Sequence, residues 1–108
     1  MKYEYAAIFT PEENGLYSVH FPDLRGCYTC GDDFDDAVYM AHDVLNLTLY
    51  DLEQDNEPIP EASNPRDIMV TGGQSMRVIA VDTETYRRFY ASESVASRLE
   101  SRPEIKYT

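Results

Sequence analysis

The chain is 108 residues long and carries twenty Asp and Glu against nine Lys and Arg, a formal net charge of −11. That length is one domain's worth and excludes multidomain enzymes, while 43% hydrophobic and 27% charged residues make an ordinary globular composition rather than a disordered one. No apolar run approaches the length that crosses a bilayer, and the first nine residues, broken by Glu4 and closed by Thr10-Pro11-Glu12-Glu13, cannot form a signal-peptide core; a cytoplasmic location is expected.

Tyr3 to Thr10 carries aromatic and β-branched residues in partial alternation and predicts a first strand. Leu16 to Phe21 predicts a second, since Tyr17, Val19 and Phe21 alternate with Leu16, Ser18 and His20. The intervening Pro11-Glu12-Glu13-Asn14-Gly15 makes the pair a β-hairpin. Pro22 to Gly26 reads as a turn, with Pro and Gly supplying the backbone angles that a reversal needs. A short third strand, Cys27 to Cys30, completes an antiparallel meander.

Asp33 then has the marks of a helix N-cap, with Asp36 at the capping-box position and Asp35 in the first turn beside the positive end of the dipole. Phe34, Ala37, Val38, Ala41, Val44, Leu45, Thr48, Leu49 and Leu52 recur every three or four residues, the stripe of one long helix packed on a sheet. Its opposite side carries Asp35, Asp36, Asp43, Asn46, Tyr50 and Glu53. The stretch from Asp55 to Pro65, with three prolines, is a connection. A fourth strand is predicted over Met76 to Val81, preceded by a candidate strand at Ile68-Met69-Val70 and a Gly72-Gly73 turn. Beyond it, a short helix capped by Asp82 or Thr83 is expected to reach Phe89, and another to span Ser92 to Arg102 before Pro103.

The two cysteines, Cys27 and Cys30, form a C-x-x-C on paper. Side chains three apart on a strand point to opposite faces, so their sulfurs are not expected to meet. Only His20 and His42 could complete a zinc site. The four clustered aspartates are accounted for by helix capping, so no metal or other cofactor is expected. Charge is uneven along the chain: residues 1–65 hold Lys2 and Arg25 against fourteen acids, and residues 66–108 hold seven bases against six acids. Gripping phosphate needs clustered Lys and Arg, so the acidic body is not a nucleic-acid surface. A basic protein partner suits it better.

Tyr17-Ser18-Val19-His20-Phe21-Pro22-Asp23-Leu24-Arg25-Gly26-Cys27, followed by Thr29, Gly31-Asp32 and then Ala37, Ala41 and Leu45, resembles the HicB antitoxin family, whose members carry Y-S-V-x-F-P-D-L-P-G-C-x-T-x-G-D ahead of an Ala- and Leu-rich helix. The resemblance runs on through Asp51-Leu52-Glu53 and Pro58-Ile59-Pro60, so it covers residues 1–82. Arg25 departs from the usual proline. The resemblance implies an α+β fold, a partial ribonuclease H-like β-β-β-α-β arrangement of a meander, one long helix and a fourth strand. It also implies a partner, a small basic HicA-type toxin that cleaves mRNA, whose RNA face the antitoxin covers.

Two sets of residues follow for a candidate site. The signature turn, Phe21, Pro22, Asp23, Leu24, Gly26 and Cys27, is read as fold-making, and the helix-face acids Asp35, Asp36, Asp43 and Glu53 as facing the partner. Residues 83–108 are read as a short helical tail without the paired elements of a DNA-binding domain, so DNA binding by this chain alone is not expected. The tail's apolar residues, among them Tyr86, Phe89, Val95 and Leu99, suit packing on the body or on a second copy, and a homodimer or higher homo-oligomer is expected. A ribonuclease H-type enzyme would need several inward carboxylates holding magnesium; Glu4, Asp82 and Asp32 are too few, so no catalysis is expected. The competing reading is a stand-alone RNA-binding or regulatory module of the same fold.

Overall fold

The computed structural model describes residues 1–85. The elements run β1 (Lys2–Pro11), β2 (Tyr17–His20), β3 (Tyr28–Gly31), α1 (Phe34–Gln54) and β4 (Ser75–Asp82). Short 3₁₀ turns occupy Glu13–Gly15 and Pro65–Asp67. The fold is thus the expected α+β arrangement. All strand pairs are antiparallel, in the order β3-β2-β1-β4. The helix returns the chain across the sheet, so that β4 lies beside β1, pairing Lys2 with Asp82 at one end and Phe9 with Ser75 at the other.

Alternation along the strands divides the side chains between two faces. Tyr5, Ala7 and Phe9 of β1, Val19 of β2, and Ile79 and Val81 of β4 are buried with Ala37, Ala41, Leu45 and Leu49 of α1 in one core. Phe34, at the start of the helix, meets the rings of Phe9 and Tyr17 at centroid distances of 5.0 and 5.4 Å. The Arg77 guanidinium lies 5.1 Å from the Phe34 ring centroid, a cation over an aromatic face. Ala6 and Ile8 sit between the core residues of β1 and therefore point to the other face of the sheet.

The two helix ends are closed by their own sequence. Asp33 accepts from the Asp36 backbone N–H at 2.8 Å, the expected N-cap bond to an orphan donor, while Asp36 reaches back one residue beyond the capping-box position to accept from the Asp32 N–H at 2.8 Å. At the other end Asn56 adopts φ 55°. Its N–H bonds the Glu53 carbonyl at 3.2 Å while the Glu57 N–H bonds the Leu52 carbonyl at 2.9 Å. These are the two bonds of a Schellman stop, with Pro58 just beyond to prevent continuation.

Some expectations shift. Strand bounds move by a residue or two, and β2 begins at Tyr17 rather than at Leu16. Ile68-Met69-Val70 is not a strand: the chain leaves the Pro65–Asp67 turn with no neighbour to pair with, and Met69 is 84% exposed. Met40, one step off the helix stripe, is 4% exposed. The expected tail helices lie outside the described residues apart from a helical start at Thr83–Thr85.

Candidate partner-binding surface

The signature turn consumes its groups within the fold. The Phe21 N–H donates to the Cys27 carbonyl at 3.0 Å, Leu24 to Phe21 at 3.0 Å, and Cys27 to Leu24 at 3.3 Å. Phe21, Leu24 and Cys27 are buried. Gly26 has φ 74°, a left-handed conformation in which a side chain is strained. The Asp23 carboxylate accepts from the Ser63 N–H at 2.8 Å and from its hydroxyl at 2.6 Å. It thereby ties the turn to the proline-rich connection. Tyr5 adds a second tie by donating its hydroxyl to the Pro60 carbonyl. Pro22 and Arg25 are left exposed on the turn.

The two thiols point to opposite sides, as expected. Cys27 is buried against α1, where the Thr48 hydroxyl donates to its Sγ at 3.4 Å. Burial pushes its pKa up, against a smaller downward pull from Thr48, so it has the character of an inert core thiol. Cys30 is exposed. Gly31, on the inner face, lies under the start of α1: a Cβ there would stand 2.3 Å from the Ala37 backbone nitrogen. The G-D pair at the end of the signature is therefore a packing contact followed by a helix entry.

The four helix acids have different surroundings. Asp35 is exposed. Asp36 is half-buried and bound into the cap, and Asp43 is half-buried on the flank. Glu53 is not on an exposed face, which corrects the expectation for that residue. Its Oε2 accepts from the Tyr3 hydroxyl at 2.6 Å and from the Thr83 hydroxyl at 2.8 Å. It joins the start of β1, the end of β4 and the last turn of α1. Burial, then the hydrogen bond and charge of Glu53, push the Tyr3 phenol up to about 12. Close by, the Glu84 N–H and the terminal ammonium hold the Asp82 carboxyl below its usual range. Sequence reasoning missed this cluster because its members lie 30 and 50 residues apart.

The wider acidic surface extends beyond these residues. Asp32, Asp33 and Asp35 stand exposed around the start of α1, and Asp51, Asp55, Glu57 and Glu61 around its end and the following connection. Partial desolvation by its neighbours, with the nearby charge of Asp55, raises the Asp51 carboxyl although the residue stays largely exposed. Residues 1–85 hold seventeen acids and four bases in all. No group of three or more His, Cys, Asp or Glu among the described residues is placed to hold a metal ion. None of their helices is long and apolar enough to cross a membrane. Among the described residues, exposed acids gather around the two ends of α1.

A family profile described as HicB_like antitoxin of bacterial toxin-antitoxin system matches residues 4–71. The chain is 39% identical over 56 residues to Antitoxin HicB 1 of Photorhabdus laumondii, a match covering 52% of this chain and 36% of that one. Among solved structures, a chain of a toxin-antitoxin complex from Streptococcus pneumoniae superimposes with a TM-score of 0.68 at 23% identity, covering 80% of this chain and 73% of that one. The N-terminal domain of the Burkholderia pseudomallei antitoxin HicB does so with a TM-score of 0.66 at 19% identity, covering 74% and 99%. At these identities the structural likeness speaks to the fold.

Proposed function

The chain belongs to the HicB-like antitoxins of bacterial toxin-antitoxin systems, and from that premise we propose that it binds and neutralises a small, basic, mRNA-cleaving toxin of the HicA type. Residues 1–82 form the binding domain, and residues 83–108 a tail that does not constitute a DNA-binding domain. The observation that carries the reading is the charge of the body, seventeen acids against four bases in residues 1–85. A protein that holds RNA must present positive charge, so an acidic surface competes for the face that RNA would occupy. Neutralisation is then steric coverage, with no chemistry required of the antitoxin. The chain acts in the cytoplasm, where the mRNA substrate is, without a cofactor, and associates with itself as a homodimer or larger oligomer.

Co-expression tests the proposal. The chain should restore growth to cells making the basic toxin and should copurify with it. If growth stays arrested although both proteins are soluble and folded, the antitoxin reading fails. The stand-alone regulatory module then becomes the better description.

A further inference from the structure

Although β1 is an inner strand of the sheet, the parity of its hydrogen bonds leaves its first residues without a neighbour on one side. The Thr83 N–H donates to the Met1 carbonyl at 2.9 Å, and the register runs on unbroken through Lys2 and Asp82 to Phe9 and Ser75. Bonded pairs alternate in an antiparallel ladder. The odd residues of β1 therefore turn their backbone groups to β4, and the even residues turn theirs to the opposite side. There β2 meets Ile8 and Thr10 through His20 and Ser18. The ladder stops at the signature turn, because Pro22, which would fall opposite Ala6, has no N–H to give. The backbone groups of Lys2 and Glu4 thus face outward, and no backbone partner among the described residues meets them. Both residues are exposed.

The connection from α1 to β4 passes beside this edge. Pro58 and Pro60 deny it the N–H groups that a paired strand needs, and the Tyr5 hydroxyl holds it at side-chain distance through the Pro60 carbonyl. Between strand and connection lies a cleft of about 430 Å³, lined by Tyr3, Tyr5, Ile59, Pro60 and Glu61. The two tyrosine rings stand 6.4 Å apart. The stretch from Glu53 to Ala62 that borders the cleft carries four acids and no base.

We propose that this cleft takes an extended segment of the basic toxin, laid beside β1 as a short added strand. The proposal rests on the antitoxin reading above and gives the toxin a foothold of defined geometry. Unpaired strand groups are a template for another extended chain. Lys2 and Glu4 each offer one donor and one acceptor, and the distance from Lys2 to Ala6 is about 13 Å, room for about four residues. Charge selects the occupant. An acidic segment is repelled by the border from Glu53 to Ala62, whereas Lys or Arg side chains find carboxylates at the rim and tyrosine faces within.

Residue-resolved amide hydrogen exchange on the full chain, free and with the toxin bound, tests the proposal. The Glu4 amide should exchange fast in the free chain and at least tenfold more slowly in the complex. The Tyr3 and Tyr5 amides, turned to β4, should be protected in both. Glu4→Pro removes an outward N–H at an edge position, where proline is tolerated, and should raise the toxin's dissociation constant at least tenfold. Glu61→Lys, at an exposed position, should weaken binding by charge with an unchanged melting temperature. The exchange measurement on the unaltered chain decides even if Glu4→Pro does not fold. A neutralising complex in which the Glu4 amide still exchanges fast overturns the proposal and leaves the antitoxin reading standing. Slow Glu4 exchange in the free chain also overturns it, since another segment then already holds the edge. So does a folded Glu4→Pro chain that binds as tightly as the parent, because cover without pairing is then enough. A folded chain that binds no toxin at all overturns the antitoxin reading and this proposal with it.

Discussion

Replacing Glu53 removes the joint between three elements, and its cost can be worked from the geometry. A hydrogen bond to a charged group contributes about 1.5–3 kcal/mol, and Glu53 accepts two. Neither donor loses everything. The Tyr3 hydroxyl is only half-buried and can turn to water, and the Thr83 hydroxyl, at 1% residue exposure, has the Met1 carbonyl at 3.3 Å as a second acceptor. Glu53→Ala is therefore expected to cost about 1.5–3 kcal/mol, the lost stem packing included. A domain of this size loses about 4–8 °C in Tm per kcal/mol, so the melt should fall by roughly 6–24 °C. Glu53→Gln keeps an acceptor without the charge and should lose about half as much.

The pH dependence gives an independent check. The Tyr3 phenol is pushed up to about 12 in the fold from an ordinary value near 10. The folded form thus holds this proton more tightly than the unfolded chain does. Its contribution is complete below pH 10 and is lost as pH rises from 10 to 12. The shift is nominally worth about 2.7 kcal/mol; solvent screening at a half-exposed ring reduces it to about 1–1.5 kcal/mol. Burial is the largest cause, so Glu53→Gln should shrink this alkaline loss without abolishing it. Circular dichroism melts between pH 7 and 12 read both effects. If Glu53→Ala melts within about 2 °C of the parent and the alkaline curves coincide, the joint is not structural.

Leu45, with 0% exposure at the centre of the core, should cost about 2–5 kcal/mol on truncation to Ala, measured by urea denaturation. Gly31→Ala places a Cβ 2.3 Å from the Ala37 backbone nitrogen. Backbone atoms cannot swing aside, so a loss of at least about 3 kcal/mol or failure to fold is expected; a stable variant would mean that α1 can shift outward. Asp35→Lys, at an exposed position, should slow toxin association at low salt. It should change stability by no more than about 1 kcal/mol through the helix dipole. An unchanged association rate in surface plasmon resonance would remove Asp35 from the steering surface.

Local signals carried much of this structure. The helix announced both its apolar stripe and its cap, because a period of 3.6 residues and an Asp-x-x-Asp start are short-range properties. The signature turn was equally legible, since Pro22 and Gly26 constrain the backbone on their own. Glu53 was not. On a helical wheel it lies among polar residues, and only the meeting of β1 with β4 brings Tyr3 and Thr83 to it. Met40 was missed for a related reason, since its burial follows from tertiary packing beyond the stripe. The Ile68–Val70 stretch has strand-forming residues without a partner strand, and propensity yields there to context. Tyr5-Ala6-Ala7-Ile8-Phe9 shows in sequence that both faces of β1 are apolar, but only the register reveals that Ile8 belongs to a row crossing the whole sheet.

The central claim is that this acidic chain stops a basic toxin from cleaving RNA, and a titration measures it directly. Purified toxin cutting a defined mRNA should be silenced as the full chain is added, with the end point near one antitoxin chain per toxin. Association should slow as salt rises from about 50 to 300 mM, because the steering field is screened, while the end point stays the same. Undiminished cleavage at a large excess of folded chain would contradict the account.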